Sequence, residues 1–358
     1  MKIIHCADIH LGASMRTHLS MEQSNQRKEE LLKTFGDMVN YAQNNNINSI
    51  LIAGDLLDTS YADVKTRNIL LDIVNSHNSI DFYYLCGNHD EDSLLLDGAD
   101  LPTNLHTFGN DWTSYNLNGA ILTGAILGEN NKQLYDKLSL DPQEFNIVML
   151  HGGETHGNDY TTPDTVNFDA LKNKNIDYLA LGHIHSYRTG KIDARCTYAY
   201  SGCLEGRGFD ECGKKGFVVL DLEPSGMSIE FVPFGKRELH EVEVDITNCR
   251  TTQDLMQMVA EKLSPIPAKD FVRVIFVGEY DEGTHKYLNM ATMDAQSKFY
   301  YFTYKDKTQP KLDLEALEKD VSLAGEFVRT VRNSSLPVEK QNEVIMLGLK
   351  ALNGEEVD

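Results

Sequence analysis

The chain has 358 residues, enough for two domains with a sizeable core in the first. Its composition is that of an ordinary globular protein, and no apolar run is long enough to cross a bilayer. A net charge of −21 argues against nonspecific polynucleotide binding, which draws its affinity from lysine and arginine, so a polynucleotide substrate would need a local basic patch, bound metals or a partner.

Along the chain, Lys2–Ala7 reads as a first strand rather than part of a signal peptide, which predicts a cytoplasmic protein. A polar loop, Leu11–Gln26, follows. Residues 27–42 place Leu31, Phe35, Met38 and Ala42 at helical spacing, and Val64–Val74 also reads as a helix. Ser49–Ala53, Phe82–Cys86, Ala120–Leu122, Ile147–Leu150 and Tyr178–Leu181 are apolar runs of strand length. Thr197–Ser201, Gly216–Leu222 and Met227–Pro233 continue as strands and turns. This alternation predicts a layered α/β domain over residues 1–235. Beyond it, Leu239–Ile246, Phe271–Val277 and Phe299–Tyr304 as strands with a Thr252–Leu263 helix make a small α+β domain over 236–312. A helical tail fills 313–358, with helices over Leu314–Val331 and Val338–Leu352. The six cysteines form no C-x-x-C pair, which gives no support to a zinc ribbon or dithiol site and makes reduced, mostly buried thiols the simplest reading.

Five short motifs follow the predicted strands: Asp8-Ile9-His10, Gly54-Asp55, Gly87-Asn88-His89-Asp90, His151-Gly152-Gly153 and Gly182-His183-Ile184-His185. In layered α/β folds, loops beyond the carboxyl ends of strands share one edge, so these side chains are expected to converge there. Taken alone, Asp-x-His, Gly-Asp or a single histidine is more often a structural or surface feature and Gly-Asn-His-Asp also reads as a polar turn, whereas two histidines two apart at a strand end are more often a site than an incidental pair; five in succession after strands make one site. Carboxylates, imidazoles and one amide oxygen without thiolate suit a pair of divalent ions, manganese, iron or zinc rather than magnesium or calcium alone. An aspartate such as Asp55 can bridge two ions with its two oxygens. The glycines before Asp55, Asn88 and His183 are expected to permit sharp turns.

The order D-x-H, G-D, G-N-H-D, H, G-H-x-H resembles the calcineurin-like metallophosphoesterase superfamily. Asp8-Ile9-His10-Leu11-Gly12, Gly202–Glu211, Lys215-Gly216-Phe217, Asp306–Pro310 and Asp313-Leu314-Glu315 resemble its SbcD-type DNA repair exonuclease branch, closest to the YhaO-like subgroup. The resemblance implies two β-sheets flanked by helices, with a C-terminal α+β capping domain. It implies two metals, most simply Mn2+ with Fe2+ or Zn2+ as alternatives, bridged by Asp55. Asp8, His10 and His185 would complete one site, and Asn88, His151 and His183 the other. His89 would protonate the leaving oxygen, and Asp90 would orient His89. A metal-bridging hydroxide would attack the phosphodiester in line.

Evidence for DNA in the residues is local. Arg188, Lys191, Arg195, Arg207, Lys214 and Lys215 form a slightly basic island in an acidic chain, with Arg207, between glycines, as the candidate phosphate contact. Tyr187, Tyr198, Tyr200 and Phe209 serve either core packing or base stacking. The branch works with an SMC-like coiled-coil ATPase subunit of SbcC type and tends to form homodimers. The apolar stripes of the tail, Leu314, Leu317, Val321 and Val328 on one helix and Val338, Val344, Ile345, Leu349 and Leu352 on the next, serve either such docking or packing on the capping domain. The expected function is therefore metal-dependent DNA hydrolysis, exo- or endonucleolytic. A hydrolase of small phosphodiesters or phosphomonoesters is the alternative on the same scaffold, and a noncatalytic scaffold would have no need of so complete a ligand set.

Overall fold

The fold is that of a computed structural model describing residues 1–15, 19–58, 62–87, 90, 101–129, 131–157, 160, 162, 164–223, 226–280, 287–311 and 314–352. It comprises two compact units. The first is Met1–Glu241 with Pro267–Arg273 and Phe299–Phe302; the second is Val242–Ile266, Val274–Lys298 and Thr303–Asp358.

The first unit runs β1 (Lys2–Cys6), α1 (Met21–Asn44), β2 (Ser49–Ala53), α2 (Val64–Ser76), β3 (Asp81–Leu85), β4 (Leu105–Thr107), β5 (Thr113–Asn116), β6 (Ile121–Gly124), α3 (Lys132–Lys137), β7 (Asn146–His151), β8 (Gly153–Thr155), β9 (Thr165–Asn167), α4 (Phe168–Leu171), β10 (Tyr178–Gly182), β11 (Arg188–Lys191), β12 (Thr197–Tyr200), β13 (Gly216–Glu223) and β14 (Gly226–Pro233). Two six-stranded sheets result, β14-β13-β1-β2-β3-β4 and β11-β12-β10-β7-β6-β5. Strands β1 to β4 are mutually parallel, as are β6, β7, β10 and β12, while β13, β14, β11 and β5 pair antiparallel at the sheet flanks.

The period of two along each strand sorts side chains into layers. Ile3, Leu51, Ala53, Tyr83 and Leu85 of the first sheet meet Leu122, Ile147, Met149, Tyr178 and Ala180 of the second in the central layer. The alternate residues Ile4, Cys6, Ile50, Ile52, Phe82 and Tyr84 face Leu31, Phe35, Met38 and Val39 of α1 and Leu70 and Val74 of α2. Val148, Leu150, Leu179 and Leu181 face Tyr135, Phe168 and Leu171 on the far side. Both faces of the central strands are buried, which is why they read as unbroken apolar runs. The expected architecture of two sheets flanked by helices is the one observed.

Two expected boundaries move. The loop after the first motif ends earlier than Gln26, because α1 starts at Met21 under a reciprocal capping box between Ser20 and Gln23. The single helix over Leu314–Val331 is two helices, Leu314–Lys319 and Leu323–Arg332. The break falls at Asp320–Ser322, where the Ser322 hydroxyl caps the Gly325 N–H, and Val321, placed in the apolar stripe by periodicity, is 98% exposed there. Within the second unit, Val328 and Val331 pack on Ile345 and Leu349 of the helix Val338–Leu352. Among the described residues no helix is long and apolar enough to cross a membrane.

Candidate metal centre

The carboxyl ends of β1, β2, β7 and β10 lie along one edge, and their loops carry the motifs. Asp8 and His10 follow β1, Asp55 follows β2, His151 closes β7, and His183 and His185 follow β10. Asn88 and His89, beyond β3, lie outside the described residues. The loops after β1 and β2 are laced by backbone bonds, Asp8 N–H to Gly54 O at 3.1 Å, His10 N–H to Asp55 O at 2.8 Å and Leu11 N–H to Leu56 O at 2.9 Å. Asp8, His10, Asp55 and His183 all adopt positive φ (51°, 50°, 52° and 95°). Such conformations are costly for non-glycine residues and cluster where geometry is functional.

Glycine serves two purposes here. Gly54 makes the expected turn, at φ 92°. Gly87 and Gly182 instead provide space: a Cβ on Gly87 would lie 2.1 Å from Asp55 Oδ1, and one on Gly182 1.9 Å from Ala53 O and 2.8 Å from His151 Nδ1.

Two groups have donor atoms close enough to hold a cation, Asp8 with His10 and His185, and Asp8 with Asp55 and His151; within each, the atoms lie within 4.8 Å of one another. Asp8, His10 and Asp55 are 1% exposed and His151 5%. Asp8 belongs to both groups, and Asp55 Oδ2 stands 3.5 Å from both His10 Nε2 of the first and His151 Nε2 of the second. Asp8 Oδ1 accepts from His183 N–H at 2.8 Å, whereas its buried Oδ2 has no hydrogen-bond partner among the described residues. Burial pushes the Asp8 carboxyl up to about 6, despite the opposing pull of His151 and His185. A buried carboxylate oxygen left without a donor fits a cation-binding role.

The imidazoles are held from behind. The His151 Nδ1 faces Ala53 O at 2.9 Å, leaving Nε2 toward Asp55. His185 Nδ1 faces Glu211 Oε1 at 2.6 Å. Burial alone would lower His185, but the hydrogen bond to Glu211 and the charge of Asp8 raise it; the Glu211 carboxyl is driven well below its usual range against its own burial by His185 and Arg207. Burial and then His151 lower His183. A carboxylate behind a ligating histidine fixes its ring and raises its basicity. In the sequence Glu211 closes the Gly202–Glu211 motif without an assigned role, because its role comes from a contact made in three dimensions.

Arg207 lies beside this pair. It donates to Glu211 through Nε (3.1 Å), Nη2 (2.8 Å) and its backbone N–H (2.7 Å), and its Nη2 is 3.1 Å from His185 Nδ1. Asp90 accepts from the N–H groups of Leu56 (3.2 Å), Leu57 (2.8 Å) and Gly87 (3.0 Å), pinning the loop that carries Asp55. Burial pushes its carboxyl up to about 6 against those bonds. Its expected partner His89 is outside the described residues. Of the aromatic residues near the basic island, Tyr200 is fully buried and donates to Gly152 O, while Phe209 is half-buried.

A layered α/β sandwich with carboxylates and imidazoles gathered at its strand ends defines a class, the metal-dependent phosphoesterases. Residues 1–187 match the calcineurin-like phosphoesterase family, and the chain belongs to it. Enzymes on this fold use two divalent metals, so the chain is a metal-dependent hydrolase of phosphoesters. It is 27% identical over 302 residues to the uncharacterized metallophosphoesterase YhaO of Bacillus subtilis, covering 79% of this chain and 73% of that protein. It is 25% identical to the DNA double-strand break repair protein Mre11 of Aeropyrum pernix, over 68% of this chain and 64% of that protein. It is 28% identical to a subunit of the nuclease SbcCD of Staphylococcus epidermidis, over 68% of this chain and 73% of that protein. These relatives agree with the SbcD-type branch that the motifs resemble.

Proposed function

We propose that the chain is a nuclease that hydrolyses DNA phosphodiester bonds, in the DNA repair branch, at a pair of divalent ions of which Mn2+ best suits the mixed oxygen and nitrogen donors. The observation that carries this reading is the placement of Asp55 Oδ2 at 3.5 Å from both His10 Nε2 and His151 Nε2, one from each donor group. In this reading Asp8, His10 and His185 would hold one ion and Asn88, His151 and His183 the other, with Asp55 available to both.

When bound, such ions polarise the phosphoryl oxygens and render a water acidic enough to attack at neutral pH. The chain's own groups do the rest. Ala53 O keeps His151 Nε2 pointed into the site, and Glu211, 2.6 Å from His185 Nδ1, fixes the His185 ring. Arg207, half-buried beside His185 with its guanidinium held by Glu211, would meet a nonbridging phosphate oxygen. His89 donates a proton to the departing 3′ or 5′ oxygen. Relatives named as a repair protein and a nuclease support DNA as substrate. One of them is a subunit, which supports a partner of the SbcC-type ATPase class and leaves the homodimer as a companion expectation.

The test is an assay in Mn2+ on single-stranded DNA, double-stranded DNA and a small chromogenic phosphodiester, with His89→Ala alongside. The expected result is DNA cleavage by the wild type and at least about 100-fold slower cleavage by His89→Ala with metal content unchanged. Hydrolysis confined to the small ester would overturn the nuclease reading in favour of a small-phosphoester hydrolase.

A further inference from the structure

A cleft of about 510 Å3 opens next to His185, within the range of about 300–1,000 Å3 typical of small-molecule sites. All the residues lining it belong to the first unit. Arg207 and Glu211, both in contact with His185, form the part nearest the metal centre. Three aromatic residues, Phe209, Phe271 and Tyr301, share the remaining lining with polar and small side chains. Phe271 is buried, whereas Phe209 and Tyr301 keep part of their rings accessible. The Arg273 guanidinium lies over one face of the Phe209 ring, 4.0 Å from its centroid, and leaves the opposite face for a ligand; its Nη1 donates to Glu241 at 3.0 Å, and among the described residues its buried Nε has no hydrogen-bond partner.

The charges narrow the ligand. Both arginines are paired with glutamates, Arg207 with Glu211 and Arg273 with Glu241. Asp58 and Asp210 add two more carboxylates to the lining, so a second phosphate is repelled. A flat, uncharged group is favoured, one with a π-face for the rings and polar edges for the aspartates and Arg273. A nucleobase has these properties.

We propose that this cleft takes the unpaired nucleobase of the nucleotide whose phosphate is held at the metal centre, with Phe209 and Tyr301 as its stacking surface. Its physiological use rests on the nuclease reading; base binding does not. Side chains that stack on a base beside the scissile phosphate hold the strand end in place, so the enzyme would favour frayed or single-stranded ends.

Two measurements on the full manganese-loaded chain test it. The first compares the calorimetric affinities of deoxyadenosine 5′-thiophosphate and base-free deoxyribose 5-thiophosphate, both slow to hydrolyse. The base should tighten binding by roughly 10-fold or more, and Phe209→Ala and Tyr301→Ala should each reduce that gap. Equal affinities, or a gap untouched by both substitutions, overturn the proposal. The second compares cleavage of a labelled single strand with a normal terminal nucleotide and with an abasic one, expected to be slower. Equal cleavage of the two ends overturns the cleft's role while leaving the nuclease reading intact. Cleavage of neither overturns the nuclease reading, and base binding is then decided by the affinity gap alone.

Discussion

At the scale of single residues, the groups behind the candidate ligands carry as much of the account as the ligands. Glu211 meets His185 at 2.6 Å and Arg207 at 2.8 Å. Glu211→Gln keeps the shape but loses the charge that steadies both, and metal affinity measured by titration should fall about 10–100-fold; unchanged affinity would show that His185 needs no such support. His5 offers a separate test away from the site. It is fully buried in the sheet interior, 2.8 Å from the Tyr178 hydroxyl, and burial lowers it to about 3, with a Leu181 backbone bond opposing. A histidine with a lowered folded-state pKa stays neutral in the fold, so its contribution is intact above about pH 6.5 and is lost as pH falls toward 3, by about 1.4 kcal/mol per unit. Asp8 and Asp90, raised to about 6, act in the opposite sense, so the comparison must be with a variant. Urea midpoints at pH 7 and pH 4.5 should separate more for the wild type than for His5→Gln; parallel slopes would remove His5 from the acid response.

At the scale of elements, helix α1 is tied to the segment leading into Arg207 by a buried ion pair. Arg27 donates to Glu205 at 3.2 Å and to Gly206 O at 3.0 Å, and Glu205 also accepts from Thr34 at 2.7 Å and Lys236 N–H at 2.7 Å. Glu205→Ala would leave Arg27 with Glu30, 2.6 Å away, as its remaining carboxylate and would take the acceptor from the Lys236 N–H, a cost of about 1–3 kcal/mol, read as a lower urea midpoint. Loss under about 1 kcal/mol would mean that water or another carboxylate replaces Glu205. The central strands were legible in the sequence because burial on both faces leaves uninterrupted apolar runs, as in Ser49–Ala53 and Tyr178–Gly182. The three- and four-residue strands β4, β5, β8 and β9 were not, since so short a segment carries no period. The start of α1 was signalled by Ser20 and Gln23, a capping box that the polar composition of the preceding loop obscures.

At the scale of the whole molecule, strand order turns scattered motifs into one site. Asp8, Asp55, His151 and His183 are far apart in sequence, yet each lies at or just beyond the carboxyl end of a strand on the same edge. That convergence could be read from the sequence because parallel strands put their carboxyl ends together. The supports contributed by Glu211, Asp90 and Ala53 O could not, because they depend on which loops meet. The acidity of the chain, −21 overall, puts the burden of phosphate binding on this edge and the few basic groups near it. The most direct test of the account is the number of divalent ions bound per chain, by calorimetric titration of metal-stripped protein with Mn2+, for the wild type, His183→Ala and Asp55→Ala. The account predicts two ions for the wild type, one tight ion for His183→Ala, and loss of both tight sites for Asp55→Ala, the residue assigned to bridge them. A single ion in the wild type, or two tight ions retained without the Asp55 carboxylate, would contradict it.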